Sequence, residues 1–413
     1  MRPPDRAAAA GVAVLGGVTF VVLAWWLVPW DPVPGGPVEP VAASEVFTAA
    51  EIARAEHFSF WARVWGWSSL ALSLAVVCWL GFTTAGQRLV QRLPGPWWAQ
   101  VALAVVVVEL VRRLASLPLS AAGHRNRVDA GLSTQPWVGW LRDVAVSEGI
   151  ETLVTATALV VVVALARRWR RIWPALAAAF LGGLVMLGSF VYPVVVEPLF
   201  NDFASLPAGE LRTEVLELAE RMEVELDDVL VADASRRTTT LNAYVSGYGS
   251  TRRVVVYDTL LDGAEQDQVL VVTAHELAHA AKRDVLVGTV LGVAGTVSAV
   301  GLLILVLQIR SRGSGAVTDP RSVPTVLALL ALFTLAAAPV ENTISRKVEL
   351  RADVESLAVT DDPHAFVGLQ RTFTLRSLSD PTPPALSQIW FGSHPTVLQR
   401  LGLIDYPLQD ADA

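Results

Sequence analysis

The chain has few of the residues that disulfide-linked or nucleic-acid-binding proteins need. Its 413 residues include one cysteine, Cys78, which lies in an apolar run, so we expect neither a disulfide framework nor a cysteine-based metal site. The formal net charge is −7 and basic residues do not cluster on one face, so we expect no nucleic-acid partner. Charged residues make up only 17% of the chain, whereas 53% are hydrophobic and the mean hydropathy is +0.47. This apolar excess indicates a membrane protein.

Long apolar runs recur along the chain, each near the length that a helix needs to cross a bilayer. They lie at 7–30, 61–82, 97–119, 150–166, 173–196, 285–309 and 323–340. The sequence therefore predicts about seven transmembrane helices. The first run could be mistaken for a signal peptide, but its apolar core is long and no clear cleavage site follows, so we expect a membrane anchor. Arginine greatly outnumbers lysine, which is typical of a GC-rich bacterial gene, and we expect a multi-pass protein of a bacterial plasma membrane.

Charged residues interrupt the third and fourth runs. Glu109, Arg112 and Arg113 lie inside the third, and Glu148 and Glu151 lie at the start of the fourth. Charges at such depth are unfavourable unless they pair or contact water. Two interpretations stay open: the side chains line a polar cavity between helices, or they reach the edge of the hydrocarbon layer.

The segment 197–284 and the residues after 340 are typical of water-soluble structure. Helical periodicity covers 210–223, and 228–232 and 253–257 are typical of short strands separated by a turn-rich connection at 238–249. A helix at 341–360 is expected to continue from the last membrane run. Another helix is predicted at 363–378, a loop at 379–384 and a last helical turn or two at 394–401.

One stretch carries the chemistry, namely the helix that contains His275, Glu276 and His279. Histidines four residues apart project from one face of a helix, so both imidazoles can reach a single metal ion. Glu276 is rotated off that face and can reach a water molecule bound to the metal, as a general base must. The alternative is a buried helix whose polar side chains only satisfy their neighbours. Residues 262–265 are predicted to form the capping box of this helix.

A catalytic zinc site usually has three protein ligands and leaves one position open. The third ligand could be a carboxylate or another histidine, the candidates being His57, His124, His364 and His394. Glu349 and Asp353 lie on one face of the helix predicted at 341–360. Glu349 could ligate the metal while Asp353 accepts the outer N–H of a ligand histidine. The commoner alternative for such a charge pattern is an exposed helix with ion pairs.

Several motifs in one order resemble the integral-membrane zinc metalloproteases of the CAAX prenyl protease 1 type, which are gluzincins. The similarity begins near the third run, with Leu117-Pro118-Leu119-Ser120. The further motifs are Tyr192-Pro193, Glu197-Pro198-Leu199-Phe200-Asn201, Asn242-Ala243-Tyr244 with Gly247, Val256-Tyr257-Asp258-Thr259-Leu260, His275-Glu276-Leu277-Ala278-His279, Ser345-Arg346-Lys347-Val348-Glu349 with Ala352-Asp353, and Ser393-His394-Pro395-Thr396 with Arg400.

The resemblance implies a set of roles for the matching residues. One zinc ion per chain would be bound by His275, His279 and Glu349, Glu276 would activate the water, and Asp353 would hold a ligand histidine from outside. Asn242 and His394 would lie near the substrate backbone and the developing oxyanion, with Arg400 supporting that end. From the residues alone, His394 could equally be a loop histidine that caps the short helix after Pro395. The strand leading from Asn242 would pair with an extended peptide.

The resemblance also implies an architecture and a partner class. We expect a mainly α polytopic membrane protein with a small α+β gluzincin-type metalloprotease domain. The expected parts are a five-span membrane domain at 1–196, the first protease segment at 197–284, two further spans at 285–340 and the second protease segment at 341–413. The substrate would be a peptide or protein, including a lipidated or membrane-embedded one, and lipids would surround the spans. Such a zinc endopeptidase would serve membrane-protein processing or quality control.

Two questions stay open at this point. If seven spans alternate, Arg2, Arg88, Arg167 and Arg312 fall on one side with other arginines, so the positive-inside rule predicts an extracytoplasmic metal site. Eukaryotic members of the resembled family carry their catalytic domain on the cytosolic side. The other function classes are a seven-span receptor or transporter and a catalytically inactive scaffold. Neither explains why the His275 helix coexists with the Glu349 helix, and an inactive scaffold would be expected to lack a ligand or Glu276.

Overall fold

The computed structural model describes residues 4–247, 249–311 and 317–404. Residues 1–3 of the expected membrane domain and 405–413 of the expected second protease segment lie outside these ranges, as do Arg2 and Arg312, on which the predicted membrane orientation partly rests. The strands are β1 Phe203–Ser205, β2 Asp228–Ala232, β3 Ala243–Ser246 and β4 Arg253–Tyr257. The helices are α1 Pro4–Leu27, α2 Ala43–Val46, α3 Ala49–Phe82, α4 Thr84–Gln91, α5 Trp97–Asp129, α6 Trp137–Arg168, α7 Trp173–Val191, α8 Glu210–Arg221, α9 Asp258–Gly263, α10 Gln266–Ala281, α11 Asp284–Ser311, α12 Val323–Thr360, α13 Pro363–Ser377, α14 Ala385–Phe391 and α15 Val397–Leu401.

The prediction of a mainly helical, polytopic membrane protein with a small sheet is confirmed. Within the described ranges, six segments are helical, long and apolar enough to cross a membrane. They are Arg6–Leu27, Ala49–Phe82, Trp137–Arg168, Trp173–Leu199, Asp284–Ile309 and Pro320–Thr360. Six of the seven apolar runs therefore correspond to these segments.

The third run, 97–119, forms part of α5 but is not one of the six segments. Its three charges in mid-helix, Glu109, Arg112 and Arg113, distinguish it from the others. It nevertheless belongs to the helix bundle, because Val101, Val105 and Val108 are fully buried in a cluster shared with α3, α6 and α12. The predicted side of the metal site depends on α5 crossing the membrane, and the orientation stays a prediction.

The charges of α5 pair with those of α6. Arg112 binds Glu109 on its own helix and reaches Glu148 of α6 at 2.9 Å between Nη2 and Oε1. Arg113 binds the other oxygen of Glu148. Glu151 lies at the margin, 3.8 Å from Arg112. The side chains therefore form a two-helix ion-pair network, which lowers the free energy of keeping charge at this depth.

The first and eleventh helices pack through residues without side chains. A Cβ atom added to Gly301 of α11 would lie 2.4 Å from the backbone nitrogen of Ala13, and one added to Gly16 of α1 would lie 2.4 Å from that of Ser298. The Ser298 hydroxyl donates to the carbonyl of Ala13 at 3.0 Å. Small residues of this kind allow close backbone approach between membrane helices.

The small sheet has the order β1-β2-β4-β3, in which β2 and β4 are parallel and the two outer strands are antiparallel to them. The predicted strands 228–232 and 253–257 are observed with those bounds as β2 and β4. The residue pattern predicts a turn-rich connection at 238–249, whereas the resemblance implies a strand leading from Asn242. The connection contains β3, which confirms that strand and lies at an edge of the sheet within the described residues. Residue 248 of that connection lies outside the described ranges.

Helix α10, which carries His275, Glu276 and His279, packs its apolar face against the sheet and α13. Val269, Val271 and Leu277 are buried in one core with Phe366 and Leu369 of α13. Each fully buried side chain of this kind stabilises the fold by about 1.5–3 kcal/mol. The helix is thus fixed by apolar packing, and its polar face is free for chemistry.

The predicted capping box of α10 is wrong. Residues 262 and 263 end the short helix α9 instead, and the N-cap of α10 is Glu265, whose side chain makes no capping hydrogen bond. Two helices meet at this point, so the polar residues end one helix rather than begin the other.

The prediction that the last membrane helix continues into the protease segment is confirmed, since α12 runs unbroken from Val323 to Thr360. The helices predicted at 210–223 and 363–378 are observed as α8 and α13, each ending one or two residues earlier. One helix that the sequence did not predict, α14, follows the loop at 379–384. Asn342 and Arg346 of α12 hold it by donating to the carbonyls of Trp390 and Gln388 at 2.6 and 3.0 Å.

Candidate metalloprotease site

The candidate site lies between α10 and α12. The Ser356 hydroxyl of α12 donates to the carbonyl of Val271 at 2.8 Å and Lys282 pairs with Glu355 at 3.1 Å, so α12 is joined to α10 before His275 and after His279. His275 is buried and His279 is partly buried on the face of α10 that meets α12. The four-residue spacing therefore directs both rings towards one carboxylate, Glu349.

Three potential ligand groups converge there. The Nε2 atoms of His275 and His279 are 3.2 Å apart. Glu349 Oε2 lies 3.2 Å from Nε2 of His275, and its Oε1 lies 3.6 Å from Nε2 of His279. Within the described residues, these three side chains form the group of histidine and acidic residues close enough to hold a metal ion, with ligand atoms within 4.8 Å of one another.

Three of the four histidines considered as a third ligand lie away from this group. His57 is exposed on α3, and His364 lies on α13. His124 is buried on α5, where its ring stacks on Trp140 with centroids 5.0 Å apart. Of the four candidates, His394 comes near the group, with its Nε2 atom 3.4 Å from Glu349 Oε2.

The outer nitrogen of His275 contacts a carboxylate. Its Nδ1 atom lies 2.9 Å from Oδ1 of Asp353, which is fully buried on α12 one turn after Glu349. Arg400 of α15 contacts both oxygens of Asp353, one of them at 2.8 Å from Nε. This carboxylate fixes the ring orientation and places the proton of a neutral His275 on Nδ1.

His279 has a similar contact that the sequence did not predict. Its Nδ1 atom lies 2.9 Å from Oδ2 of Asp284, the first residue of α11, and Oδ1 of Asp284 pairs with Arg351. The available signal was an acidic residue five positions after His279, at the start of an apolar run. Such a signal is weak, because acidic residues are common in the first turn of any helix.

The three groups fit a zinc ion. When both Nδ1 atoms donate to carboxylates, each neutral ring presents an unprotonated Nε2, and two such lone pairs facing each other need a cation between them. Nitrogen ligands about 2.0–2.1 Å from a tetrahedral zinc ion lie about 3.3 Å apart, close to the 3.2 Å between the Nε2 atoms. Glu349 Oε2 is buried and faces Nε2 of His275 at 3.2 Å, as expected for a carboxylate that shares one cation with that ring. The donor set of two imidazoles and one carboxylate is one that zinc accepts.

The electrostatics of the site favour positive charge. Burial alone would lower the pKa of His275, but the hydrogen bonds to Asp353 and Glu349 raise the pKa to about 10. The carboxylates therefore stabilise a cation at the position where the two rings meet, either a proton or a metal ion. Since metal ligands must be deprotonated, a bound metal ion would displace that proton.

Glu276 lies beside the group without belonging to it. Burial raises the pKa of its carboxyl, in opposition to His275 and His279, which lower it. A raised pKa makes this carboxylate a stronger base than an exposed one. The position and basicity suit proton transfer rather than metal ligation.

The remaining predicted residues lie around the group. His394 is exposed, and its Nδ1 atom lies 2.9 Å from the hydroxyl of Ser393, which can donate to it and leave the ring proton on Nε2. Asn242 is exposed immediately before β3, and its carbonyl accepts from the backbone of Tyr257 at 3.0 Å. Within the described ranges, the Asn242 side chain is not among the groups that contact the histidines or Glu349.

Comparison with known proteins agrees with this geometry. A family model described as peptidase family M48 matches residues 205–408, and a model described as CAAX prenyl protease N-terminal, five membrane helices, matches residues 48–202. The metalloprotease YhfN of Bacillus subtilis is 29% identical over 72% of this chain and 71% of its own length. CAAX prenyl protease 1 of Saccharomyces cerevisiae is 28% identical over 55% of this chain and 54% of its own length.

The fold has a solved counterpart. The crystal structure of S. mikatae Ste24p covers 97% of this chain and 99% of its own, with a TM-score of 0.78 at 20% sequence identity, which shows a shared fold. The two adjoining models span the membrane helices that follow α1 and the segment that holds His275, His279 and Glu349. The chain thus belongs to the M48 metallopeptidases of the CAAX prenyl protease type, and it is a multi-pass membrane protein.

Proposed function

We propose that this protein is a zinc-dependent membrane endopeptidase. The observation that carries the proposal is the convergence of His275, His279 and Glu349, whose ligand atoms lie within 4.8 Å of one another. A receptor, transporter or inactive scaffold gives no reason for this group to coincide with a basic carboxylate at Glu276.

The proposed chemistry assigns one task to each residue. His275, His279 and Glu349 hold one zinc ion, which when bound polarises the scissile carbonyl and lowers the pKa of a water molecule towards neutrality. Glu276 accepts a proton from the attacking water and passes it to the nitrogen of the leaving amine. Asp353, held by Arg400, keeps His275 oriented with its proton on Nδ1.

The substrate is proposed to be an extended peptide that adds a strand at β3. This strand lies at the edge of the sheet within the described residues, and an edge strand presents unpaired backbone groups that a peptide can match. Asn242, at the start of β3, would bind the substrate backbone. His394 would donate from Nε2 to the carbonyl oxygen that gains negative charge.

The yeast relative is a CAAX prenyl protease. One proposed substrate class for this chain is therefore a protein that carries a lipid near its own carboxyl terminus. A membrane protein under quality control is the other. Both present an extended segment close to the bilayer, which suits a site held between α10 and a helix that continues from the membrane.

Glu276→Gln tests the function directly. We expect detergent-purified Glu276→Gln to retain stoichiometric zinc while kcat for a quenched peptide falls by about 10²–10⁴-fold, because the amide cannot accept the proton. The matched control is Glu265→Gln, at the exposed N-cap of the same helix. Zinc is measured by elemental analysis and turnover by fluorescence.

The outcomes separate the alternatives. Turnover of Glu276→Gln at the wild-type rate would contradict the mechanism. Wild-type protein without zinc would contradict the metal centre. To choose between the substrate classes, a prenylated and an unprenylated version of one peptide are compared by kcat/KM. An equal value for both would argue against recognition of the lipid.

A further inference from the structure

The outer nitrogens of the two candidate ligand histidines contact different parts of the fold. His275 contacts Asp353, which is held by Arg400, whereas His279 contacts Asp284, which is held by Arg351. The first carboxylate lies within the protease segment on α12. The second is the first residue of α11, whose apolar run starts one residue later.

We infer that Asp284 is a positioning residue for the metal centre, that Arg351 supports it, and that this pair ties His279 to a membrane helix. The inference rests on the proposed zinc site. The Asp284 carboxylate accepts the N–H of His279 Nδ1 and thereby directs an unprotonated Nε2 towards Glu349. Such outer carboxylates orient a ligand ring and raise its basicity.

The backbone supports this reading independently of the side-chain distance. Arg283, between α10 and α11, has φ +58, in the left-handed region that non-glycine residues seldom adopt. This turn lets α11 begin two residues after Lys282, the C-cap of α10, and brings its first side chain back to His279. Strained backbone of this kind persists where surrounding contacts determine it. Here Asp284 binds both His279 and Arg351.

An ordinary ion pair between helices is the alternative, and the same turn supplies a matched example of one. Lys282 and Glu355 pair at 3.1 Å and also join the end of α10 to α12. Glu355 is not among the residues that contact a candidate ligand histidine within the described ranges. A purely structural role would make Asp284 and Glu355 equivalent, whereas a positioning role separates them.

The experiment compares Asp284→Asn with Glu355→Gln in the full-length protein in detergent. Metal affinity is measured by competition between the protein and a chelator for Zn²⁺, and ligand geometry by the visible spectrum of the Co²⁺-substituted protein. We expect Asp284→Asn to weaken zinc binding by about 10–100-fold and to change the cobalt spectrum. Glu355→Gln is expected to leave both readouts within about twofold of wild type.

Arg351→Met provides a second variant that keeps the carboxylate. We expect a smaller loss of zinc affinity than in Asp284→Asn, and we expect the double variant to be no worse than Asp284→Asn alone, because Arg351 acts through Asp284. Melting of the metal-free proteins shows whether each variant is folded. Should Asp284→Asn fail to fold, Arg351→Met alone decides the question by the same two readouts.

The inference is overturned if both variants bind zinc within twofold of wild type with unchanged cobalt spectra, or if Glu355→Gln reproduces their losses. These readouts do not depend on peptide cleavage. Wild-type protein that binds zinc and cleaves nothing would contradict the proposed function alone, and the positioning role would still be decided by affinity.

Discussion

Two helix pairs in this protein are held together by opposite means. The pair α1–α11 brings backbones into contact where Gly16 and Gly301 have no side chain. The pair α10–α12 is joined by polar side chains that meet around His275 and Glu349. Contact in the first pair requires that Gly16 and Gly301 lack a Cβ atom, whereas contact in the second requires specific polar side chains.

The difference follows from the surroundings of each pair. Between lipid-facing helices the hydrophobic effect provides little net attraction, so association depends on close van der Waals contact and on backbone approach. The α10–α12 pair has an apolar core beneath it that already stabilises the contact, as Leu277 and Phe366 show. Its polar face can therefore carry groups selected for chemistry rather than for packing.

The largest expected effect is at the polar pair. Glu349→Ala should reduce zinc content from about one per chain to nearly none and abolish cleavage, because two histidines alone make an incomplete site. The matched control is Glu341→Ala, an exposed carboxylate earlier on the same helix, which should keep its zinc. Elemental analysis after gel filtration is the measurement. Undiminished zinc in Glu349→Ala would refute the ligand assignment and break the comparison.

An intermediate effect is expected where the membrane bundle itself uses polar groups. Glu148→Gln removes the shared partner of Arg112 and Arg113. Arg112 keeps its pair with Glu109, whereas Arg113 loses the Glu148 carboxylate, and because these side chains are only partly buried we expect a cost of about 3 kcal/mol, at the lower end for broken buried pairs. Glu151→Gln is the control, since that side chain is 60% exposed and 3.8 Å from Arg112. Thermal melting in detergent should show a clear decrease for the first and little change for the second. Equal melting temperatures for Glu148→Gln and Glu151→Gln would mean that water solvates the ion pairs between α5 and α6 and that these pairs do not stabilise the fold.

Much of this arrangement could be predicted from the sequence, because it depends on local pattern. The membrane runs, the central strands β2 and β4 and the four-residue histidine spacing are all periodic or compositional signals. The convergence of His275 and His279 on Glu349 needed the family resemblance, since nothing in the sequence fixes how α12 packs on α10. Spacing alone left several other histidines as candidates.

The features that the residue pattern alone did not predict depend on turns and edges. Strand β3 is short and lies in a segment rich in threonine and glycine, so the pattern indicated a turn-rich connection and only the resemblance implied a strand leading from Asn242. Helix α14 follows Pro381, Pro383 and Pro384, which are typical of a loop. The contact of Asp284 with His279 requires the left-handed turn at Arg283, a conformation that the sequence does not signal.

The smallest effect tests the close backbone approach in the membrane. Gly301→Ala places a methyl group 2.4 Å from the backbone nitrogen of Ala13 and 2.6 Å from the carbonyl oxygen of Ala9, so α1 must move away. We expect a loss of about 1–3 kcal/mol, as for other overpacked contacts. Gly288→Ala, on the same helix but with nothing within 4 Å of the added atom, should be neutral or slightly stabilising, because alanine favours helix.

The two variants are compared by their melting temperatures in detergent and by the zinc content of each. If Gly301→Ala lowers the melting temperature but not the zinc content, the two helix pairs are energetically separate. If it lowers both, the start of α11 at Asp284 transmits the displacement to His279.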